Sequence, residues 1–289
     1  MKKFAVIDVG SNSVRLMFVA DGKVLYKALN TTRLGEGLVQ APLLKAEGIE
    51  RSANAVASFY ERAKSEGAEK IGVFATAAVR TAKNSAEFLN RVKELCGVDV
   101  DVISGEEEAE IGILGALGNA DGAVVDVGGA STEIVVKKNG DLIYKKSLDI
   151  GVVRLKEECG RELKSLNERA KLATEGYGEI PLQGEIVGIG GTATTLAAQA
   201  LGLLEYSSEK VTGATITQAE VDKLVDKFHS LSVEEIASLP CMPKGRADVI
   251  LGGAVWLSVL MRRLNIEKLI ASDRDNLEGY AIKQGWMDE

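Results

Sequence analysis

Asp8 and Asp126 each close an apolar run and are each followed at once by a turn of small residues. The stretches read "VIDVGSNSVRLMF" over 6–18 and "VVDVGGASTEIVV" over 124–136. They align without a gap at an offset of 118 residues, which places Gly10 on Gly128, Ser13 on Ser131, Gly22 on Gly140 and Tyr26 on Tyr144. A strand that ends in a tight Gly/Ser turn exposes successive backbone N–H groups, and such a nest binds anions, phosphate above all. Gly10, Ser11, Asn12 and Ser13 form the first such turn; Gly128, Gly129, Ala130, Ser131 and Thr132 form the second. A third, "GIGGTATT" at 188–195, holds Gly190, Gly191 and Thr192 and leads into a helix whose dipole adds to the attraction. One glycine turn is a weak signal, because hairpins use them too. Two in register, each behind an aspartate, indicate a duplicated domain with a function in each turn. The bland alternative is that each aspartate caps its own turn. Two carboxylates facing a phosphate site repel the ligand unless a cation intervenes, and Mg2+ held by one or two carboxylates, water and phosphate oxygens meets that need.

A third carboxylate stands in "SGEEEAEIGILGALG". Ser104 and Glu107 have the spacing of a capping box, and Glu106 favours the helix N-terminus through the dipole. Glu108 is left over. Its helical neighbours Ile111, Gly112 and Gly115 make a small apolar face that lets a backbone or a ligand come close. Beside a phosphate, Glu108 could orient and deprotonate a water; the alternative is a solvated first-turn glutamate. Arg80, after "ATAAV", and Arg246, opening "GRADVILGGA", suit bidentate phosphate contact at the edge of a cleft and surface ion pairs elsewhere. His229 is the sole histidine and lies in the amphipathic pattern "VDKLVDKFHSL", so it reads as structural, and Ser-His-Asp or Cys-His catalysis has almost nothing to work with.

Composition narrows the partners. The net charge of −7 argues against a general nucleic-acid binder, but not against a polyanion held by backbone amides, a few cations and a metal. Cys96, Cys159 and Cys241 show neither metal-ligand spacing nor a disulfide framework, which suits a reducing cytosol. No apolar run is long enough for a membrane span and the N-terminus lacks a signal-peptide pattern, so a cytoplasmic protein without membrane contact is expected.

The elements that must position these residues follow from apolar spacing. Strands are expected at about 4–9, 14–20 and 23–28, a helix over about 45–66, a strand through "KIGVFATAAV" into a turn, a helix over "SAEFLNRVKELCG", a strand at "DVDVIS" and the acidic helix. The pattern then restarts: strands at "GAVVDVGG", "STEIVVKK" and "DLIYKKSL", helices over about 151–177, a strand at "GEIVGIGG" and a helix at "TATTLAAQAL". Helices near 217–237 and 246–263, a strand at "EKLIAS" and a last helix from about 275 complete it. At 289 residues two domains are the default, with a boundary near residues 118–122, and the alternation indicates α/β layers. The acidic helix, apolar almost all round, is expected to be buried between the halves.

Eight motifs in this order resemble the exopolyphosphatase / guanosine pentaphosphate phosphohydrolase (Ppx/GppA) family of the actin, sugar-kinase and chaperone ATPase superfamily. They are "AVIDVGSNSVRLMF", "TRLGEGL", "FATAAVRTAKNS", "ISGEEEAEIGILG", "VVDVGGASTEIVV", "GIGGTATTLAA", "GRADVILGGA" and "SDRDNLEGYA". The resemblance implies an α/β protein of two ribonuclease-H-like domains, residues 1–118 and 119–273, facing a cleft, with a C-terminal helix in 274–289 packing back on the first. It implies hydrolysis of a terminal phosphoanhydride with Mg2+ or Mn2+. Glu108 would be the base for the attacking water. Asp126 and Glu133 would surround the metal, with Asp8 in the same constellation. The three glycine turns, Arg80 and Arg246 would hold phosphate.

Two departures stand out. Ala130 occupies the place of a third glycine in the second turn; alanine carries a steric cost there if φ is positive and is nearly neutral if it is not. The chain also stops near 289, where longer members continue into a helical domain of the HD phosphohydrolase type that helps grip long substrates. The expected activity is release of orthophosphate from inorganic polyphosphate. The alternatives are a guanosine pentaphosphate (pppGpp) or other nucleotide phosphohydrolase, a small-molecule kinase of the same fold, and a non-catalytic sensor; retention of Glu108, Asp126 and Glu133 together speaks against the last. A homodimer is compatible with a two-lobed chain of this kind.

Overall fold

The computed structural model describes residues 2–288. The first sheet has five strands, β1 (Lys3–Val9), β2 (Ser13–Ala20), β3 (Lys23–Thr31), β4 (Lys70–Ala75) and β5 (Asp101–Val102), in the order β3-β2-β1-β4-β5. The second has six, β6 (Gly122–Val127), β7 (Thr132–Lys138), β8 (Asp141–Leu148), β9 (Ile186–Ile189), β10 (Thr215–Thr217) and β11 (Lys268–Ala271), in the order β10-β11-β9-β6-β7-β8. Both are a three-stranded antiparallel meander continued by parallel strands, with β10 added antiparallel at one edge. The repetition extends to an irregularity. The register slips between Phe18 and Val19 in β2 and between Val136 and Lys137 in β7, positions that correspond at the same 118-residue offset. The first strand of each meander is covered on both sides, which is why "AVIDV" and "AVVDV" are nearly continuous apolar runs rather than alternating ones.

Helices α1 (Ala46–Ser65) and α3 (Ser85–Cys96) cover the outer face of the first sheet through residues such as Val56, Phe88 and Val92. Over the second sheet lie α5 (Val152–Cys159), α6 (Leu163–Thr174), α7 (Gly190–Ala200), α9 (Gln218–Ser230) and α11 (Ile250–Arg263). Trp256 of α11 is fully buried there, and its Nε1 donates to Thr132 Oγ1 at 2.9 Å.

Two helices lie between the sheets. From α4 (Gly105–Leu117), Ala109 and Ile113 pack on Val124, Val135 and Val187 of the second sheet. Ile111 joins a separate cluster in which Leu277, Tyr280 and Ala281 of α12 (Asn276–Lys283) meet Phe4, Val6 and Phe74 of the first sheet. The small face of α4 is thus filled by another backbone. A Cβ on Gly115 would fall 1.9 Å from the Asp275 carbonyl oxygen, and one on Gly279 would fall 1.7 Å from that of Ile111.

Several local expectations differ from the structure. The strand through 70–79 ends at Ala75, and Ala77–Thr81 form a short helix α2, since alanines favour helix once strand pairing ends. The strand at "DVDVIS" shrinks to Asp101–Val102. The helix at 217–237 is broken near Leu231 into α9 and α10 (Val233–Ala237), because Ser232 and Glu235 form a capping box that starts a new helix. The helix at 246–263 begins only at Ile250, after a turn containing Gly245 at φ 77. Helix α8 (Ser208–Val211) and strand β10 were not anticipated. Among the described residues no helix is long and apolar enough to cross a membrane.

Candidate active site

One cleft of about 310 Å³ gathers most of the expected residues. Its wall contains residues 10–13, 128–131 and 190–192 together with Asp8, Glu108, Asp126 and Arg246. The first two turns close with the same bond: Gly10 N–H donates to the Ser13 carbonyl and Gly128 N–H to that of Ser131, both at 3.0 Å. They touch, since a Cβ on Gly129 would meet Ser11 Cβ at 3.0 Å and Asn12 N at 3.2 Å. The third turn is the start of α7. Gly190 has φ 75, and a Cβ there would stand 2.3 Å from Asp126 Oδ1. Ala130 is not among the non-glycine residues with positive φ, so alanine is unstrained in that turn. Ala130→Gly should therefore leave turnover unchanged and cost about 0.5–1 kcal/mol through unfolded-state entropy, as chemical denaturation will show.

The duplicated aspartates have diverged in their surroundings. Cross-strand register pairs Asp8 with Arg15 and Asp126 with Glu133. Neither aspartate reads as a simple turn cap. Arg15 donates to Asp8 Oδ2 through Nε at 2.9 Å and also pairs with Asp275. Asp275, although buried, is held below the usual carboxylate range by Arg15 and Lys27. In the second half, acid faces acid. Burial, then Asp275 and Asp8, pushes Asp126 up to about 7. Burial with Glu108 and Asp126 drives Glu133 well above its ordinary value. Asn276 Nδ2 donates to Asp126 Oδ2 at 3.3 Å.

Glu108 is 7% exposed, so it is not a solvated helix-end carboxylate. The Ser104–Glu107 capping box forms around it as expected. Burial lifts Glu108 to about 7; Arg80 opposes this, while Asp126 and Asp8 add to it. Arg80 Nη1 donates to Glu108 Oε2 and to the Ile103 carbonyl, both at 3.0 Å, and Arg80 does not line the cleft. Thr132 and Glu133 also lie outside the cleft wall. The Thr132 hydroxyl donates to the Ile150 carbonyl, and Ser147 Oγ donates to Glu133 Oε1 at 2.6 Å. Arg246 lies against Gly191, where a Cβ would come within 2.0 Å of its Nη1. Among the described residues it has no acidic partner, its Nε is buried without an acceptor, and burial with Arg15 nearby lowers it to about 10. A half-buried cation without a counter-charge, on the wall of a cleft, is a place for an anion.

Asp8 Oδ1 and Glu133 Oε2 are buried without hydrogen-bond partners. Among the described residues no three or more His, Cys, Asp or Glu side chains converge as a closed metal site. Mg2+ needs only one or two carboxylates when phosphate and water complete its shell, and Asp126 and Asp8 on the cleft wall could supply them, whereas Glu133 lies outside that wall.

The raised carboxylates have a stability consequence. Over about pH 4.5 to 7 the folded, metal-free chain binds protons at Glu108 and Asp126 that the unfolded chain has released. Stability therefore falls as pH rises through that window. The depressed capping glutamates Glu107, Glu220 and Glu235 act at lower pH. Melting curves in chelator should show Tm declining from pH 5 to 7.5; a Tm that rises there contradicts the assignment.

Arg15, Lys27, Asp275, Asn276 and Tyr206 line the cleft without having been singled out. The available signal for Asp275 was its capping box with Glu278, inside "SDRDNLEGYA".

Residues 4–284 match the Ppx/GppA phosphatase family. The chain is 31% identical over 314 residues to exopolyphosphatase 2 of Mycobacterium tuberculosis, covering 98% of each. It is 32% identical over 303 residues to the guanosine-5'-triphosphate,3'-diphosphate pyrophosphatase of Photobacterium profundum, covering 99% of this chain and 59% of that protein. The crystal structure of the Aquifex aeolicus Ppx/GppA family member superposes with a TM-score of 0.79 at 31% identity, covering 98% of this chain and 97% of that one. With the duplicated two-sheet fold and the glycine-turn cleft, these matches show that the chain belongs to the Ppx/GppA phosphatase family.

Proposed function

We propose that this protein is an exopolyphosphatase that releases orthophosphate from the ends of inorganic polyphosphate. The observation that carries the reading is Glu108, a buried carboxyl poised near neutrality on the wall that also holds the glycine turns and the unpaired Arg246. The backbone amides of the three turns and Arg246 would bind the terminal phosphates and fix the phosphorus in line with a water. Glu108 would take that water's proton, and Arg80 keeps the carboxylate form accessible by opposing burial. A divalent cation held by Asp126 and by Asp8, whose Oδ1 has no hydrogen-bond partner, with Glu133 across the strand pair from Asp126, would supply neutralisation of phosphate charge. In-line phosphoryl transfer is mostly positioning and charge neutralisation, which this inventory provides without histidine or cysteine. Coverage of nearly the whole mycobacterial exopolyphosphatase also supports this choice.

A second reading, hydrolysis of a phosphorylated guanosine or other nucleotide, is favoured by the outer cleft. Leu29, Tyr206 and Pro243 wall it there with apolar surface that a bare phosphate chain does not need. The deciding experiment follows orthophosphate release from long-chain polyphosphate, pppGpp and ATP, each with and without Mg2+. Polyphosphate as the best Mg2+-dependent substrate supports the first reading, preference for pppGpp the second, and no release from any of them rejects both.

A further inference from the structure

The motif "TRLGEGL" at 32–38 places no side chain on the cleft wall, yet its backbone supports the first phosphate turn from behind. Thr32 and Arg33 N–H donate to the Asn12 carbonyl at 3.1 and 2.9 Å, and Gly35 N–H donates to the Ser11 carbonyl at 2.8 Å. A Cβ on Gly35 would meet Ser11 Cβ at 2.9 Å. Arg33 sits at φ 54, a left-handed conformation that persists in a non-glycine residue only where its surroundings enforce it.

The same loop grips the second domain. Arg33 pairs with Asp248 at 3.0 Å, and Asp248 also takes Lys156 of α5. Glu157, next along α5, accepts from Gly37 N–H at 2.5 Å and Val39 N–H at 3.3 Å. Immediately before the loop, Thr31 Oγ1 donates to the Lys244 carbonyl at 2.6 Å. These partners fall on two segments. One is α5, whose first N–H groups bond the second phosphate turn: Val152 to the Gly128 carbonyl at 3.0 Å and Val153 to that of Gly129 at 2.8 Å. The other is the turn over 243–249, which carries Arg246; there Arg246 N–H donates to the Pro243 carbonyl and Val249 N–H to that of Arg246. The loop and α5 enclose a space of about 640 Å³ in which Arg33, Lys45 and Lys156 are offset by Glu36, Glu157 and Asp248. These charges answer one another rather than an anion.

We propose that the loop over residues 32–39 is a clasp that couples the first phosphate turn to the second and to Arg246. Arg33, Asp248 and Glu157 are its positioning residues. The proposal rests on the cleft being the phosphate site. The clasp is made without ligand, so loosening it lowers the fraction of molecules already closed. Apparent affinity falls by that fraction, while saturating substrate restores closure and leaves kcat in place. A structural role alone would move kcat, or stability, without this split.

The test combines Asp248→Asn and Glu157→Gln, singly and together, with Arg33→Met and the conservative Arg33→Lys. Tripolyphosphate with Mg2+ is the calorimetric probe in a Glu108→Gln background, and the Glu108 form is used for kinetics. Each single change should raise Kd and KM about fivefold, and the pair about tenfold or more, with kcat within about twofold. Arg33→Lys should keep most of the affinity that Arg33→Met loses. At saturating tripolyphosphate, amide exchange at 246–250 should slow more in the double variant, which the ligand must close, than in the parent, which is closed without it. If the parent binds and the double variant binds equally well, the clasp is wrong. If the parent does not bind tripolyphosphate, the phosphate-site reading fails first and takes the clasp with it.

Discussion

Glu108→Gln is expected to fold like the wild type and to release orthophosphate about a hundredfold or more slowly, the loss that removal of a general base brings. The change keeps the side chain's shape, and its remaining oxygen can still accept from Arg80, whose guanidinium lies 3.0 Å away. What disappears is the basic site. The wild-type rate should rise with pH as Glu108 loses its proton, and the residual rate of the variant should rise less steeply, because only Asp126 then titrates in that range. Thermal unfolding separates the outcomes. A variant with wild-type Tm and a collapsed rate places the loss in the chemistry. A variant that turns over as fast as the parent reduces Glu108 to a buried partner of Arg80, and the search for a base would move to Asp126.

Gly279→Ala should be strongly destabilising, because among the glycines its added Cβ makes the closest approach to another atom. The new Cβ would lie 1.7 Å from the Ile111 carbonyl oxygen and 2.5 Å from its carbon, both backbone atoms that cannot swing aside. Helix α12 must move away from α4, at a cost of about 3 kcal/mol for overpacking of this kind, or a fall in Tm of roughly 6 °C or more in a chain of this size. The same shift draws Asn276 from Asp126 and Asp275 from Arg15, so activity should fall further than stability explains. Gly48→Ala in α1 is the control. The nearest atom to its added Cβ is 3.7 Å away, and alanine is the better helix former, so it should be neutral or slightly stabilising. Equal melting temperatures for the two variants would mean that the close crossing of α4 and α12 is not what seats the C-terminal helix.

Much of the architecture is local in origin and was therefore legible. The duplication shows in residue order because each half must build the same meander, and Asp8, Asp126 and their turns sit where a buried strand must stop. The acidic helix announced its own cap through Ser104 and Glu107, and its uniformly apolar body announced its burial. The breaks at Ala75 and Leu231 were less visible, because propensity and capping decide them against a continuing apolar pattern.

What tertiary structure alone decided is which charge faces which. At equivalent positions in the two halves stand Arg15 and Glu133, and only the pairing register shows that one neutralises its aspartate while the other opposes it. Arg80 reads the same in sequence whether it faces phosphate or Glu108; only the packing of α2 beside α4 shows its ion pair with Glu108. Asp275 and Asn276 are remote from both glycine turns in the chain and reach the cleft because Gly115 and Gly279 let two helix backbones touch. Sequence thus determined the elements and the inventory of chemical groups, since both depend on neighbours along the chain. The electrostatic state of each group depends on partners a hundred or more residues away, and only the packed fold brings those together.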